Sequence, residues 1–334
     1  MRRLCLVVPR QRAEDVRQEL LKKDLLEKHL TILKEGTNIL FPVKQKVDMG
    51  FAIEERDFPE AFKPIGHYSD VVEIPEKFKS LLPSSLDIIG DVALIRLPKD
   101  LRGHGTSIGK AILNAYKNVR CVFSDEGIAG EYRIRKVSNL AGENRTRTVH
   151  KEYGLTYTVD VAKAYFSPRL ATERVRVVEQ VEPGEVVLDL FTGVGPYAIM
   201  IAKKRSPLLI HAVDNNPDAI DMLEENIRKN KVENVRPFLG DAHKALKIID
   251  DVDRLVMDLP QSAKEFYIDA LRCVKNGGMM HYYEILDSVT LDEHKEDLVK
   301  EAGREGTEVE ILSTRAVKTY SPAQQHFAFD IKVS

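Results

Sequence analysis

The stretch V-V-L-D-L-F-T-G-V-G-P, Val186 to Pro196, decides how this chain folds. Five of its first six residues are apolar, the exception being Asp189. Such a run suits a strand buried on both faces of a parallel sheet. Gly193 and Gly195 then impose a tight turn, and Tyr197 to Lys204 reads as a helix. Strand, glycine turn and helix form the first unit of a nucleotide-binding α/β fold. Its glycines let a ligand approach the backbone, and its helix N-terminus offers free N–H groups.

A G-x-G-x-x-G pattern would favour a dinucleotide. Here the pattern is G-V-G-P-Y-A, with Asp189 on the strand before it. That carboxylate would repel a pyrophosphate and attract the ammonium of a methionine-like moiety. The next strand, Leu208 to Val213, ends in Asp214, whose side chain can accept hydrogen bonds from both ribose hydroxyls. A third strand, Val235 to Leu239, is followed by Asp241, placed to meet an adenine amino group. Acids at three successive strand ends fit S-adenosylmethionine (SAM) better than NAD; an NAD-binding unit is the alternative.

Length and composition bound the rest. A chain of 334 residues holds roughly two or three domains, and 43% hydrophobic content supports a sizeable core. A net charge of −2 means that a nucleic-acid partner must be met by local basic patches. No apolar run reaches membrane-spanning length, and Pro9-Arg10 stops the short apolar stretch after Met1 from reading as a signal peptide. Cys5, Cys121 and Cys273 have neither metal-ligand spacing nor a disulfide framework. The expectation is a cytoplasmic protein, monomeric, without a metal site. Charged residues make up 31%, with i,i+4 pairs such as Glu224 with Arg228 and Glu225 with Lys229, a pattern that fits a thermophile.

In chain order, Leu4 to Val8 reads as a strand, Arg12 to Lys23 as a helix, and Leu30 to Leu33 and Asn38 to Val43 as short strands. This small α/β module ends near residue 55 and is locally basic through Arg2, Arg3, Arg10, Arg12, Lys22 and Lys23. Solvated charge and RNA contact both account for that. Residues 56–69 read as a linker within a proline- and charge-rich hinge, Glu54 to Tyr68. A middle α+β region, 70–163, follows. It has a hairpin (Leu86 to Ile89, Val92 to Leu97), a helix (Thr106 to Lys117) and strands at Val119 to Phe123, Glu131 to Leu140 and Leu155 to Val161. Arg133 and Arg135 alternate on one strand and so share a face. With Arg145 and Arg147 they form either a phosphate-binding surface or a salt-bridged one.

The last region, 164–334, contains the glycine loop. Ser167-Pro168 reads as a helix start, with Ser167 as the cap. Glu173 and Arg174 then fall on a helix just upstream of the central strand. Glu173 reads either as a base near the ligand or as an ordinary exposed helix residue. Further helices and strands follow to a terminal pair, Val309 to Leu312 with Ala316 to Thr319 and His326 to Val333, giving a seven-stranded Rossmann-like sheet. The fourth strand, Arg254 to Met257, runs into Asp258-Leu259-Pro260, which open α/β sheets place beside the ligand. An Asp there can accept hydrogen bonds from a nucleobase or can cap the next helix.

Several motifs in order now amount to a resemblance. They are N-L-A-G-E-N-R-T (Asn139 to Thr146), A-Y-F-S-P-R-L-A-T-E-R (Ala164 to Arg174), D-L-F-T-G-V-G-P, M-D-L-P (Met257 to Pro260), G-G-M-M-H-Y-Y (Gly277 to Tyr283) and V-K-T-Y-S-P (Val317 to Pro322). Together they resemble the archaeal and eukaryal tRNA guanine-N1 methyltransferases that act at position 37. The resemblance is close from about residue 85 to the end and is one of layout before that. It implies a class I SAM-dependent methyltransferase with tRNA as substrate. Glu173 would be its general base, with a pKa raised beside an aliphatic wall. Arg133 would steady charge on O6, Tyr165 would lie beside cofactor and target base, and Asp258 stands where better-known members have Asn.

Tyr165, Arg174, Asp189, Phe191, Gly193 and Gly195 would hold the cofactor, with Asp214, Asn215, Asp241, Ala242, Asp258 and Pro260. Arg133, Arg135, Arg145, Arg147 and Lys318 would meet RNA. Relatives in the wyosine pathway act on the same nucleotide, by C7 methylation or aminocarboxypropyl transfer. A non-catalytic RNA binder and a small-molecule methyltransferase are the remaining classes.

Overall fold

The computed structural model describes residues 2–59, 66–130, 132, 134–321 and 323–334. The chain divides into two compact units, Met1–Asp70 and Val71–Ser334. The first unit contains β1 (Arg2–Pro9), α1 (Ala13–Lys22), β2 (Leu33–Glu35), β3 (Asn38–Pro42) and β4 (Ala52–Asp57). Its sheet has the order β2-β3-β1-β4 and is antiparallel throughout. Val16 and Leu20, one turn apart on α1, pack with Leu6, Val8 and Phe41.

Two expectations fail here. The strand expected at Leu30 begins only at Leu33. The module does not end near residue 55, because β4 runs to Asp57 and pairs Arg2 with Asp57 and Cys5 with Glu54. Its sequence A-I-E-E-R-D hides the strand: at a sheet edge, charged side chains face water and no apolar period survives.

The second unit begins with β5 (Asp87–Ile89), β6 (Val92–Ile95), α2 (Gly105–Ala115), β7 (Cys121–Ala129) and β8 (Ile134–Gly142), in sheet order β5-β6-β7-β8. Strands β6 and β7 are parallel and α2 is their crossover. Gly109 lets α2 lie directly on β8; a Cβ there would stand 2.8 Å from the Ala141 Cβ. The strand expected from Val119 starts later and runs on to Ala129. A hairpin follows, β9 (Arg147–Glu152) and β10 (Leu155–Asp160), of which only the second strand was expected. Tyr153 and Gly154, both at positive φ, form its two-residue turn.

The remaining elements are α3 (Ala171–Gln180), β11 (Val186–Asp189), α4 (Pro196–Arg205), β12 (Leu209–Asp214), α5 (Pro217–Asn230), β13 (Val235–Leu239), α6 (Ala242–Ala245), β14 (Val252–Met257), α7 (Tyr267–Cys273), β15 (Val274–Asp287), α8 (Leu291–Arg304), β16 (Val309–Thr319) and β17 (Gln324–Val333). Their sheet has the order β13-β12-β11-β14-β15-β17-β16, parallel as far as β15 and antiparallel beyond. Both faces are covered. Val187, Ile210, Val256 and Tyr283 enter one core, and Leu188, Val213, Leu255 and Tyr282 the other. The terminal strand read as two pieces is one, β16, with bulges near Ile311 and Ala316.

The hairpin is bound to α5 by a ladder of side-chain amides. Asn226 and Asn230 each accept from and donate to one residue of β10. Thr158 N–H donates to Asn226 at 2.6 Å and Thr156 N–H to Asn230 at 2.9 Å. The returning bonds to the Thr158 and Thr156 carbonyls measure 3.1 and 2.7 Å. Two amides one helical turn apart thus satisfy an edge that would otherwise stay unpaired.

Candidate active site

The glycine loop lies where the strand order reverses, between β11 and β14. Gly195 has φ 86°, and a Cβ would drive into Leu223 and Ile199, so both conformation and packing require glycine. Asp189, expected from its charge to face the ligand, is not on the cavity wall. It is buried and turned inward, accepting from the Thr192 hydroxyl at 2.7 Å and the Ala198 N–H at 3.3 Å. Burial pushes its carboxyl up to about 7, against those hydrogen bonds. Asp189 therefore shapes the loop. Asp214 stands at the loop's other side, taking Gly193 N–H at 2.8 Å and Asn216 N–H at 2.9 Å while still lining the cavity.

That cavity has a volume of about 610 Å³. Phe191, Gly193, Asp214, Asn215, Asp241 and Ala242 form one side, and Asp258 and Pro260 continue it. Gly195 is not on the wall but packs behind it. Asp241 spends one oxygen capping α6, at 3.0 Å from His243 N, and Phe191 sits edge-on to Phe266 at 5.2 Å. A carboxylate at the second strand end, a further acid and an apolar aromatic are the partners that ribose and adenine need. The volume suits a ligand of SAM's size. The residues present therefore fit the cofactor.

Tyr165 and Arg174 line the same cavity. Arg174 is fully buried, and its guanidinium is spent on Glu152 of β9 (2.8 and 2.5 Å) and on the Ser167 carbonyl (3.2 Å). It stiffens the wall and has little left to offer a cofactor. Ser167 begins a single 3₁₀ turn, Pro168–Leu170, without the side-chain cap expected of it.

Arg135 is not on an open surface. It is buried, 3.5 Å from both Asp87 and Asp125, donates to the Phe166 carbonyl and stacks 5.3 Å from the Tyr165 ring. An arginine expected to meet RNA thus props the tyrosine at the cavity. Arg133 lies outside the described residues. Arg145 pairs with Asp91 at 2.8 Å and Arg147 with Glu225, both beside an open groove of about 780 Å³. Lys318 lines the main cavity.

Glu173 is 2% exposed and does not line the cavity. The aliphatic wall expected around it is instead polar. Arg176 grips it at 2.8 Å, Arg315 stands at 3.6 Å, and the Tyr283 hydroxyl donates to it at 2.8 Å. The Tyr283 hydroxyl in turn lies 3.1 Å from that of Tyr197, a cavity residue. Behind Glu173 the network continues through Arg176 to Asp330, His281 and Arg254. Arginine only donates, so His281 accepts at Nε2 and donates from Nδ1 to Asp330. Burial opposes charge on Asp330, yet the bonds from His281 and Arg176 hold its carboxyl well below the usual range.

Asp258 lines the cavity at the end of β14, and burial pushes its carboxyl up to about 6 against Lys318 and Arg174. It caps no helix: Ser262, not Asp258, precedes the following turn. Thr192, Tyr197, Phe266 and His326 also reach the wall and were not anticipated. One signal was available for His326. In H-F-A-F-D-I-K-V, His326 and Asp330 fall on one face of a strand whose other face is wholly apolar.

This fold and site define a class I SAM-dependent methyltransferase. The model for the TRM5/TYW2 methyltransferase domain matches residues 148–312, that for the TYW2 N-terminal domain residues 70–146, and that for the tRNA methyltransferase 5 N-terminal domain residues 5–52. The chain belongs to the TRM5/TYW2 family. It is 42% identical to the tRNA (guanine(37)-N(1))-methyltransferase Trm5b of Pyrococcus abyssi, over 99% of both chains. The crystal structure of Trm5b from that organism superposes with a TM-score of 0.81, at 41% identity and 99% coverage of each chain. The structure of aTrm5 with tRNALeu gives 0.80 at 31% identity, covering 99% of this chain and 100% of that one. The tRNA 4-demethylwyosine(37)-methyltransferase Taw21 of Saccharolobus solfataricus is 32% identical over 75% of this chain and 94% of its own. No helix among the described residues is long and apolar enough to cross a membrane.

Proposed function

We propose that this protein is a SAM-dependent tRNA methyltransferase that transfers a methyl group to N1 of guanine at position 37. The extent of the likeness carries this reading. The match to the Pyrococcus enzyme runs end to end, whereas the match to the wyosine-pathway enzyme covers 75% of this chain.

The cofactor supplies a methyl carbon on a sulfonium, already a good electrophile. The residues here bind, position and move a proton. Asp214 would hold the ribose and Asp241 with Phe191 the adenine. Tyr165 offers a ring face to a base swung out of its stack. Asp258 accepts hydrogen bonds from its N–H edge. Arg133 is assigned to the charge that grows on O6 as N1 loses its proton. Arg145, Arg147 and Lys318 are assigned to the RNA backbone, the first two exchanging acidic partners for phosphate.

Glu173 is assigned as the final proton acceptor. Its hydrogen bond from Tyr283, and that hydroxyl's contact with Tyr197, support a route from the cavity. The N1 proton would pass to Tyr197 as the Tyr197 proton passes to Tyr283 and the Tyr283 proton to Glu173, leaving the N1 electron pair free to attack.

The test is product analysis. Incubation with SAM and unmodified transcripts bearing G or A at position 37, then nucleoside mass spectrometry, should give N1-methylguanosine from the G37 transcript alone. The acceptor-only carboxylate of Asp258 and the relation to Taw21 favour one further reading, action on the tricyclic wyosine-type base. Product only from tRNA carrying that base would replace the first reading with the second.

A further inference from the structure

His326 is 1% exposed, on the cavity wall, and neither ring nitrogen has a hydrogen-bond partner among the described residues. Two such atoms buried without partners carry a large desolvation cost unless something polar meets them. Asp258 Oδ1 stands 3.8 Å from Nε2, too far for a hydrogen bond and near enough for both groups to meet one planar ligand. No side-chain hydrogen bond to Asp258 occurs among the described residues either. The placement is built. His326 sits in register between Ile285 of β15 and Lys318 of β16, both cavity residues, and the Tyr283 ring backs it at 5.5 Å.

We propose that His326 and Asp258 together read the Watson–Crick edge of the target purine: His326 donates Nε2–H to the 6-oxygen while Asp258 accepts from the 2-amino group on the other side of N1, whose own proton is left to Tyr197. This rests on the guanine reading above. Burial and Lys318 push the His326 imidazole down to about 3, so it enters the contact neutral, with one donor. A donor and an acceptor on either side of N1 match guanine, which shows C=O on one side and an amino group on the other. Adenine shows an amino group where guanine has the oxygen and only C–H where guanine has the second amino group, and would leave both protein groups unpaired in a buried site. The same donor helps hold the charge that appears on the 6-oxygen when N1 is deprotonated.

The experiment uses the full-length enzyme and single-turnover methyl transfer. Substrates are transcripts carrying guanosine, 6-thioguanosine or adenosine at position 37; sulfur accepts hydrogen bonds more weakly than oxygen. His326→Phe keeps the ring against Tyr283 and removes the donor; His326→Gln restores an N–H. His326→Phe should slow transfer to G37 about 100-fold, with SAM affinity by calorimetry within about two-fold as evidence that the fold and cofactor site persist. His326→Gln should recover most of that rate. The thio substitution should slow the wild type and leave His326→Phe nearly unaffected, since the lost interaction is shared.

Wild-type rates for His326→Phe on G37, or an equal thio penalty in both proteins, would overturn the contact while leaving the guanine reading intact. A wild-type enzyme that transfers to none of the three transcripts would overturn the guanine reading and this contact with it.

Discussion

The Tyr283 hydroxyl donates a 2.8 Å hydrogen bond to Glu173, and so joins a buried carboxylate on α3 to a cavity that the carboxylate does not itself line. Two substitutions test the link. Glu173→Gln should lower turnover about 100-fold or more, with SAM affinity unchanged. Tyr283→Phe leaves Glu173 and its two arginines in place and removes only the connection. It should slow single-turnover transfer at least about ten-fold. Normal rates for Tyr283→Phe beside an inactive Glu173→Gln would mean that the carboxylate reaches its substrate by another path.

Asp258 should make activity depend on pH. Its carboxyl is pushed up to about 6, so acceptance from a base N–H is lost below that value. The profile of kcat/KM should rise through pH 6, and Asp258→Asn should remove that limb. Stability moves the opposite way. A carboxyl whose folded pKa is raised binds its proton more tightly in the folded state, so stability falls as pH rises from about 4 to about 6. Asp258→Asn should therefore melt higher than the wild type at pH 8 and show no such gain at pH 4. Equal melting points at both pH values would place the Asp258 pKa near its ordinary value.

Arg135 separates a prop from a phosphate contact. Removing an RNA contact weakens tRNA binding and shallows its salt dependence by about one unit of slope. Removing Arg135 should instead expose the charges of Asp87 and Asp125 and free the Tyr165 ring. Arg135→Met should lower stability by about 3 kcal/mol, as when one partner leaves a buried pair, and leave the salt slope of tRNA binding unaltered. The salt slope is the deciding measurement.

The first unit should be removed whole. Cutting after residue 55 would divide β4, which pairs with β1 as far as Asp57. Deleting residues 1–70 should leave a folded second unit that binds SAM normally and binds tRNA more weakly at low salt. Unaltered tRNA affinity would free the basic residues of this unit from any RNA role.

Local pattern revealed much of the fold. The unbroken apolar run and the glycine pair around Asp189 identified the central unit, because burial on both faces leaves its mark on every residue of a strand. Charged β4 carried no such mark. The strand-end acids were found, but not their orientation: whether a carboxylate faces ligand or loop depends on whether a hydroxyl such as Thr192 lies behind it. The surroundings of Glu173 were hidden for a different reason. Tyr283, Arg315 and Asp330 come from strands more than a hundred residues away, and no spacing in one sequence records that meeting. His326 lay inside a strand read only for its length.

The asparagine ladder makes α5 a lever with both ends loaded. Asn216, at the start of the helix, holds the Lys163 carbonyl at 2.7 Å and gives its own N–H to Asp214, while Asn230 holds Thr156 at the far end. Fourteen helical residues span about 21 Å without a joint. One continuous helix therefore ties the Asp214 corner of the cavity to the hairpin that carries Arg147, with no break in the hydrogen bonding between them.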